Sequence, residues 1–346
     1  MTVALTGATG FLGLPLLRGL LARHDSVVLL ARGEPATVLD RLRGYFTVAG
    51  DAPGWTADLP RRVRVVRADV TRPALGLPDR EFDALTGELH EVWHSAGDIS
   101  QDGDLARLRQ VNVDGTRHVL SLAAKGARYI HVSTAFVAGR RWHGTVYDDE
   151  LSDAYGFETP YERSKYEAEL VVRSWAAEPG RAAVVLRPSV LATDLPPDPY
   201  LPVHPALAAS RALRAVATRP AVVRVEGRPD SFMNVMPVED AAAVMLALAD
   251  RHRGDGVDTF HVVHPHEMPV TTLLDALAET VPVRFELVST VDDPTPLERT
   301  VRLLSGAWAY ARHRRRYDDA RVRALVDLRP SRVRIDRDYL LAGIGP

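Results

Sequence analysis

The 346-residue chain has no cysteine, which excludes disulfides, thiolate nucleophiles and zinc–sulfur sites. That absence also removes any sequence argument for an oxidising compartment. No apolar run approaches the roughly 20 residues needed to span a bilayer. No charged leader with a small-residue cleavage site stands before Val3-Ala4-Leu5. A charge imbalance is missing as well: the formal net charge is −2, so no global positive field attracts nucleic acid. The expectation is a soluble, cytoplasmic protein, monomeric or homodimeric, with neither nucleic acid nor membrane as a partner. Lysine is nearly absent. Of 43 basic residues only two, Lys125 and Lys165, are lysines. Where arginine is chosen almost everywhere, a retained lysine points to a chemical requirement.

With 46% hydrophobic and 25% charged residues, the chain has the composition of an ordinary globular protein. Its length suits one nucleotide-binding domain and a smaller appendage. Short Val-, Ile- or Leu-rich runs at Val3–Leu5, Val27–Ala31, Val63–Arg67, Glu91–His94, Tyr129–Val132 and Ala183–Leu186 predict buried strands. Helix-length stretches such as Phe11–Arg23, Leu105–Ala124 and Tyr161–Ala177 lie between them. Alternation of this kind predicts an α/β Rossmann fold, a doubly wound parallel sheet covered on both faces. Asp194–Pro205 holds five prolines in twelve residues and predicts a loop. Beyond it the pattern predicts a helix at Ala206–Thr218, a strand at Ala221–Glu226, a helix at Val238–Arg251, a strand at Thr259–Val263 and a helix at Thr271–Val281. The expected division gives residues 1–190, with returning segments near 221–265, to the dinucleotide domain. Residues 191–220 and 266–346 then form a smaller mixed C-terminal substrate-binding region, or lid.

Thr6-Gly7-Ala8-Thr9-Gly10-Phe11-Leu12-Gly13 follows the first strand and opens the first helix. Gly7 permits a tight turn, Gly10 lets backbone approach a pyrophosphate, and Gly13 allows close helix–strand packing. The helix N-terminus offers free N–H groups and a positive dipole end to phosphates. The second strand ends in Arg32. An arginine there accommodates a 2′-phosphate, where an acidic residue would bond a ribose 2′-hydroxyl, so NADP(H) is the expected cofactor, with Arg41 as a second charge. Asp69 and Val70, closing the third strand, are placed at the adenine. Ser95, Ala96 and Gly97, closing the fourth, are small enough for the cofactor to pass over the sheet edge. Pro188, ending the sixth strand, is counted with the cofactor contacts.

The fifth strand runs into Ser133 and Thr134, and 27 residues after Thr134 stand Tyr161 and Lys165. Residues at i and i+4 share one face of a helix. A free phenol, with a pKa near 10, is a poor acid–base catalyst at neutral pH. A neighbouring ammonium favours the phenolate. Tyr161 would exchange a proton with a substrate oxygen, Thr134 would hold that oxygen and stabilise its developing charge, and Lys165 would also hold the nicotinamide ribose. Ser133 joins them as a catalytic candidate. Asn112 sits inside a helix, where asparagine is locally unfavourable. It either anchors a water near Lys165 or bridges two backbone segments.

These segments, TGATGFLG, ADVTRPALGL, WHSAG, NVDGT, HVSTAFVAG, YERSK and LRPSV in that order, resemble extended short-chain dehydrogenases/reductases over roughly residues 3 to 275. The Leu-Ala-Arg strand end with Arg41-Leu42 nine residues on, the segment from Asp69, Val-Ser-Thr-Ala-Phe-Val, and Met233-Asn-Val-Met-Pro-Val-Glu-Asp240 narrow the likeness. They resemble the thioester-reductase and fatty acyl-CoA reductase (male-sterility-type) branch. The resemblance implies reduction of a thioester on coenzyme A or an acyl or peptidyl carrier protein, to an aldehyde or onward to an alcohol, in secondary metabolism. It assigns Thr134 as oxyanion donor, Tyr161 as acid and Lys165 as its partner. Two departures from the family pattern are expected: no adenylation or carrier domain fused ahead of the first strand, and no glycine after Pro188-Ser-Val.

Within the same fold a nucleotide-sugar epimerase or ketoreductase is the enzymatic rival. Dehydration is disfavoured because Ala135 stands where such dehydratases carry an Asp–Glu pair. A non-catalytic NADP-binding sensor is the third reading, against which both Tyr161 and Lys165 speak. The basic run Arg312-His-Arg-Arg-Arg316 reads as a solvated helix face or as a dock for an acidic carrier or coenzyme A phosphates. His261, His264 and His266 span a strand end and a proline-containing loop without a carboxylate constellation, so no metal is expected. Trp93 and Trp142 read as packing.

Overall fold

A computed structural model describes residues 1–124, 126–251, 254–304, 306–326 and 333–345; Lys125 lies outside them. Seven strands form the main sheet: β1 (Thr2–Thr6), β2 (Val27–Ala31), β3 (Val63–Arg67), β4 (Leu89–His94), β5 (Arg128–Val132), β6 (Ala182–Pro188) and β7 (Gly256–Val262). They lie in the order β7-β6-β5-β4-β1-β2-β3, every pair parallel. The chain therefore winds outward from β1 to β3 and returns to lay β4 on the other side of β1. Ligands of open α/β sheets bind at such a switch point, beyond the carboxyl ends of the strands.

Helices α1 (Gly13–Arg23), α2 (Pro160–Ala176) and α3 (Val238–Ala249) matter most for the site. On one face of the sheet α1 buries Leu14, Leu16, Leu17, Leu20 and Leu21 in a core shared with Val244, Met245 and Leu248 of α3. The two helices run so close that a Cβ on Gly19 would stand 2.1 Å from Leu246 Cδ1. On the other face Tyr129, Val172, Ala176, Ala183 and Val185 share a second core with the helical stretch ending at Ala123. Both faces are covered, which is why Ala183–Leu186 is an unbroken apolar run, fully buried.

A separate core gathers the helices Pro205–Val216, Val270–Thr280 and Arg337–Ile344 around Leu213, Leu274, Leu277 and Leu340. Here one boundary expected from sequence is corrected. Ala221–Glu226 does not return to the main sheet; it pairs in parallel with Val283–Val288. Val223 and Val225 point into the smaller core while Arg224 between them is only half-buried. Such alternation suits a strand covered on one face. Helix α3 and strand β7 do return, to the α1 face and to the edge beside β6.

Candidate active site

Gly7 has φ +73°, and a Cβ on it would lie 2.6 Å from the Ala96 backbone nitrogen. A Cβ on Gly13 would lie 1.9 Å from the Gly7 carbonyl oxygen. The turn closes through Gly10 N–H donating to that same oxygen at 2.9 Å. The loop thus has the bare backbone that close approach of a dinucleotide diphosphate requires, with the N-terminus of α1 behind it. Thr6, at the end of β1, is fully buried, shares a hydrogen bond with His94 Nδ1 at 2.8 Å and accepts Ala96 N–H at 3.1 Å. It ties the turn to the β4 strand end across the switch point. Thr9 is half-buried and Gly10 exposed. Phe11 stacks on His204, ring centroids 5.8 Å apart, and the Leu12 side chain enters the core.

Arg32 and Arg41 are both exposed at the open edge beyond β2. Arg32 lies near enough to Asp69 to help draw its pKa down; burial opposes this, and bonds from Thr71 N–H and Oγ1 (2.9 and 2.8 Å to Oδ1) outweigh it. The Val70 carbonyl accepts His118 Nδ1 at 2.9 Å. Ser95 and Ala96 are half-buried and Gly97 exposed. Pro188 is buried within β6, opposite Val262. The helical stretch from Leu105 contains one π-turn, Gln110–Asp114, with Asn112 in it, a feature common at functional sites. Asn112 Oδ1 accepts Asp98 N–H at 2.8 Å, and its Nδ2 donates to Asp98 O and Ser164 Oγ, each at 2.9 Å. These bonds join the Asp98 loop to Ser164 of α2 across Asn112.

The start of α2 is set by a reciprocal cap. Thr159 Oγ1 accepts Glu162 N–H at 3.3 Å, and Glu162 Oε2 accepts Glu158 N–H at 2.7 Å, with Pro160 at the first helical position. This aims Tyr161 at the β5 strand end, near enough to the Thr134 hydroxyl for that group to favour the phenolate. Burial outweighs this and pushes Tyr161 up to about 12. One turn on, Lys165 is buried and donates from Nζ to the Val132 carbonyl at 2.7 Å. Burial lowers it to about 8, against the opposing charge of Glu169. His94 and His131, opposite one another on β4 and β5, are held neutral by burial and by the nearby Lys165.

Thr134, Tyr161 and Lys165 are therefore brought together, while Ser133 is turned elsewhere: its hydroxyl donates to Glu169 Oε1. Sequence reasoning missed Glu169, Arg187 and Tyr310. Arg187 and Glu169 are fully buried and paired twice, Nε to Oε1 at 2.9 Å and Nη2 to Oε2 at 2.7 Å. Tyr310 OH donates to Glu162 Oε1 at 2.8 Å. A charged residue inside the apolar run of β6, and a glutamate four residues past Lys165, were signals available beforehand.

From Arg314 on, the basic run is a strand and not a helix face. Arg314–Tyr317 is a strand parallel to His143–Val146. Arg315 is buried and bonds Gly139 O and Tyr317 OH; Arg314 pairs with Asp230 at 2.8 Å; Arg312 lies 4.8 Å over the Trp142 ring. Trp142, half in solvent, donates to Glu158 at 2.6 Å, and Trp93 is fully buried. His261 Nδ1 meets Asp318 O, and His264 Nδ1 the backbone of His266. Among the described residues no cluster of His, Asp or Glu is arranged to hold a metal, and no helix is long and apolar enough to cross a membrane.

A parallel sheet in this order, with a glycine turn at its switch point and a tyrosine and lysine one turn apart against the β5 end, defines an extended short-chain dehydrogenase/reductase. The chain belongs to the male sterility protein family, whose model matches residues 5–245. It is 32% identical over 206 residues, 53% of this chain, to the L-2-aminoadipate reductase large subunit of Penicillium chrysogenum. It shares 32% over 191 residues, 54% of this chain, with the isonitrile lipopeptide synthase of Streptomyces coeruleorubidus. The matched stretches are 14% and 13% of those proteins' lengths. Among solved structures, the terminal R domain from the myxalamid PKS-NRPS biosynthetic pathway matches 99% of this chain and 89% of its own, with TM-score 0.77 and 22% identity. UDP-glucuronic acid 4-epimerase from Bacillus cereus, in complex with NAD, matches 99% and 97% at TM-score 0.69 and 18% identity. Both share the fold.

Proposed function

We propose that the protein is an NADPH-dependent reductase of thioesters, acting on an acyl group carried by a carrier protein or coenzyme A, or on the aldehyde derived from it. The observation that carries this reading is the meeting of Thr134, Tyr161 and Lys165 at the β5 end, beside the glycine turn. The names of its relatives, an aminoadipate reductase and a peptide-synthetase R domain, favour a carrier-bound acyl substrate. Arg32 and Arg41 favour the phosphorylated cofactor.

Bound NADPH would supply hydride to the carbonyl carbon. Tyr161 gives its proton to the carbonyl oxygen, and a thioester becomes a hemithioacetal, whose C–S bond then breaks to release aldehyde and thiol. A phenol raised to about 12 by burial carries its proton at neutral pH, and giving it up depends on a neighbouring cation. Lys165, charged below about 8, stabilises the phenolate left behind. Thr134 donates to the oxygen as charge builds on it. The smaller C-terminal core, on this reading, forms the acyl side of the cleft.

The test is NADPH oxidation with acyl-CoA and acyl-pantetheine thioesters beside the matching aldehydes and ketones. Thioester turnover that falls by about 10²–10⁴ in Tyr161→Phe, with NADPH affinity retained, is the expected result. Turnover on aldehydes and ketones alone would discard the thioester substrate and keep the residue roles. Binding of NADPH without any turnover would sink the proposal.

A further inference from the structure

Three consecutive residues at the end of β5 each engage one residue of α2. The Val132 carbonyl takes Lys165 Nζ, the Ser133 hydroxyl donates to Glu169, and the Thr134 hydroxyl meets the Tyr161 phenol. Tyr161, Lys165 and Glu169 are spaced i, i+4 and i+8, so they form one stripe along the helix. Two of the three rungs are the reaction site proposed above. The third, Ser133–Glu169, touches no reacting atom, yet it is the most deeply enclosed: Glu169 and Arg187 are fully buried. Arg187 fixes Glu169 from β6 by two bonds, and its remaining Nη1 donates to the carbonyls of Asp148 and Glu150 at 3.2 and 2.9 Å.

We propose that Glu169, clamped by Arg187 and bonded to Ser133, is a positioning residue that holds the β5 end in register with α2 and supplies a negative charge one helical turn beyond the Lys165 ammonium. This rests on the assignment of Lys165 and Tyr161 to the reaction.

Geometry supports both parts. A buried ion pair bonded at each of its three guanidinium nitrogens is rigid and costly to disturb. Ser133 lies between the residues that anchor Lys165 and meet Tyr161, so one bond there constrains both neighbours. For the charge, the groups around Lys165 are few. His94 on β4 and His131 on β5 are buried and neutral, and both His131 ring nitrogens are without a partner. Tyr161 carries its proton. Arg187 and, from the next turn of α2, Arg173 face Glu169, the latter at 4.0 Å. Burial drives Lys165 towards its neutral form and Glu169 opposes it. A neutral amine at position 165 would not stabilise the phenolate.

The near-absence of lysine permits a direct test that needs no turnover. In protein labelled with 13C-lysine only Lys125 and Lys165 give side-chain signals, and Lys125→Arg assigns them. The Lys165 methylene signal is titrated in the wild type and in Glu169→Gln, in the full chain. The midpoint is expected to fall by about one pH unit in Glu169→Gln. In active enzyme the charged fraction of Lys165 at pH 7 falls from about nine-tenths to about half, so kcat there should fall about twofold and recover towards pH 6, a recovery that a merely structural defect would not show. A folded Glu169→Gln with the Lys165 midpoint unmoved overturns the charge role. Should Arg187, left unpaired, prevent that variant from folding, Ser133→Ala keeps the ion pair and removes only the rung. It should lower kcat several-fold with the KM for NADPH unchanged, and an unaltered kcat overturns the positioning role. If no substrate turns over, the Lys165 titration still decides the charge role, so failure of the proposed activity and failure of this inference give different results.

Discussion

Placing alanine at Gly13 asks whether the turn serves the cofactor or merely connects β1 to α1. The new Cβ would stand 1.9 Å from the Gly7 oxygen, 2.7 Å from its carbon and 2.9 Å from Ala8 Cα. All three are backbone, so no side chain can swing aside. Relief needs either the turn to open or α1 to slide along β1, and fully buried Leu14, Leu16 and Leu17 resist the slide. Overpacking of this kind costs about 1–3 kcal/mol, or roughly 2–10 °C in melting temperature for a domain of this size. An opened turn misdirects the N–H groups at the start of α1. Losing one charge-assisted bond to a diphosphate, at about 1.5–3 kcal/mol, weakens binding by roughly 10- to 150-fold. Thermal melts and NADPH fluorescence titration read the two effects separately. Gly87→Ala, within the helix Asp79–Glu88 and with nothing within 4 Å of the added Cβ, is the control. It should gain about 0.5–1 kcal/mol and bind NADPH as before. A Gly13→Ala protein that is less stable yet binds NADPH normally would refute the assignment of the turn to the diphosphate.

Arg32→Ala should weaken NADPH binding by about tenfold, an exposed charge-assisted contact being worth about 1–2 kcal/mol, and leave NADH unchanged; equal losses for both cofactors would remove Arg32 from the 2′-phosphate. Lys165→Met should abolish turnover yet stabilise the fold. Lowering a buried lysine from 10.5 to about 8 costs roughly 3 kcal/mol, of which about 1 returns as the lost bond to Val132, leaving a gain near 2 at pH 7. The unfolded chain binds more protons than the folded one between those two values, so wild-type stability rises across that window. The advantage of the Lys165→Met variant should therefore shrink from pH 8 to 10.5, and a pH-independent difference in denaturant melts would contradict the buried ammonium. Leu17→Ala, fully buried between α1 and the sheet, should cost about 2–5 kcal/mol by the same melts, without changing the relative use of NADPH and NADH.

The main sheet was legible because its strands are buried on both faces, and that demand leaves runs such as Val27–Leu30 with no polar position at all. The glycine turn and the Tyr161–Lys165 pair were legible because backbone approach and helix periodicity each restrict which residues serve at which spacing. Glu169 and Arg187 escaped for the opposite reason. Charge reads as surface in a sequence, and only the register of β6 against α2 shows that these two meet in the interior. The basic run misled in the same way. Its alternation, Arg315 and Tyr317 inward with Arg316 outward, belongs to a strand, but its partner His143–Val146 is far away in sequence and nothing local announces the pairing. Ala221–Glu226 was recognised as a strand and counted with the dinucleotide domain, yet it pairs with Val283–Val288, since a strand's own pattern reports how many faces are covered but not by what.

Ser133 and Thr134 show how adjacent hydroxyls come to have unlike fates. Side chains alternate across a strand, so Ser133 follows His131 and Tyr129 onto the face beneath α2, where Glu169 takes its hydroxyl. Thr134 emerges beyond the last ladder bond, in extended conformation (φ −155°, ψ 147°), and opens a short 3₁₀ turn at the mouth of the crevice. A serine in place of Thr134 would keep the hydroxyl with a freer rotamer, and the β-branch of threonine stiffens it. Lys165 obeys the same logic of place. Its ammonium reaches the Val132 carbonyl at 2.7 Å, and on the proposed function its remaining protons serve the phenol and a ribose. A guanidinium would bring a rigid five-donor fork to a site that presents one acceptor. In a chain that otherwise chooses arginine, a compact point charge is what this position requires, and the buried carboxylate of Glu169 is what lets that charge stay there.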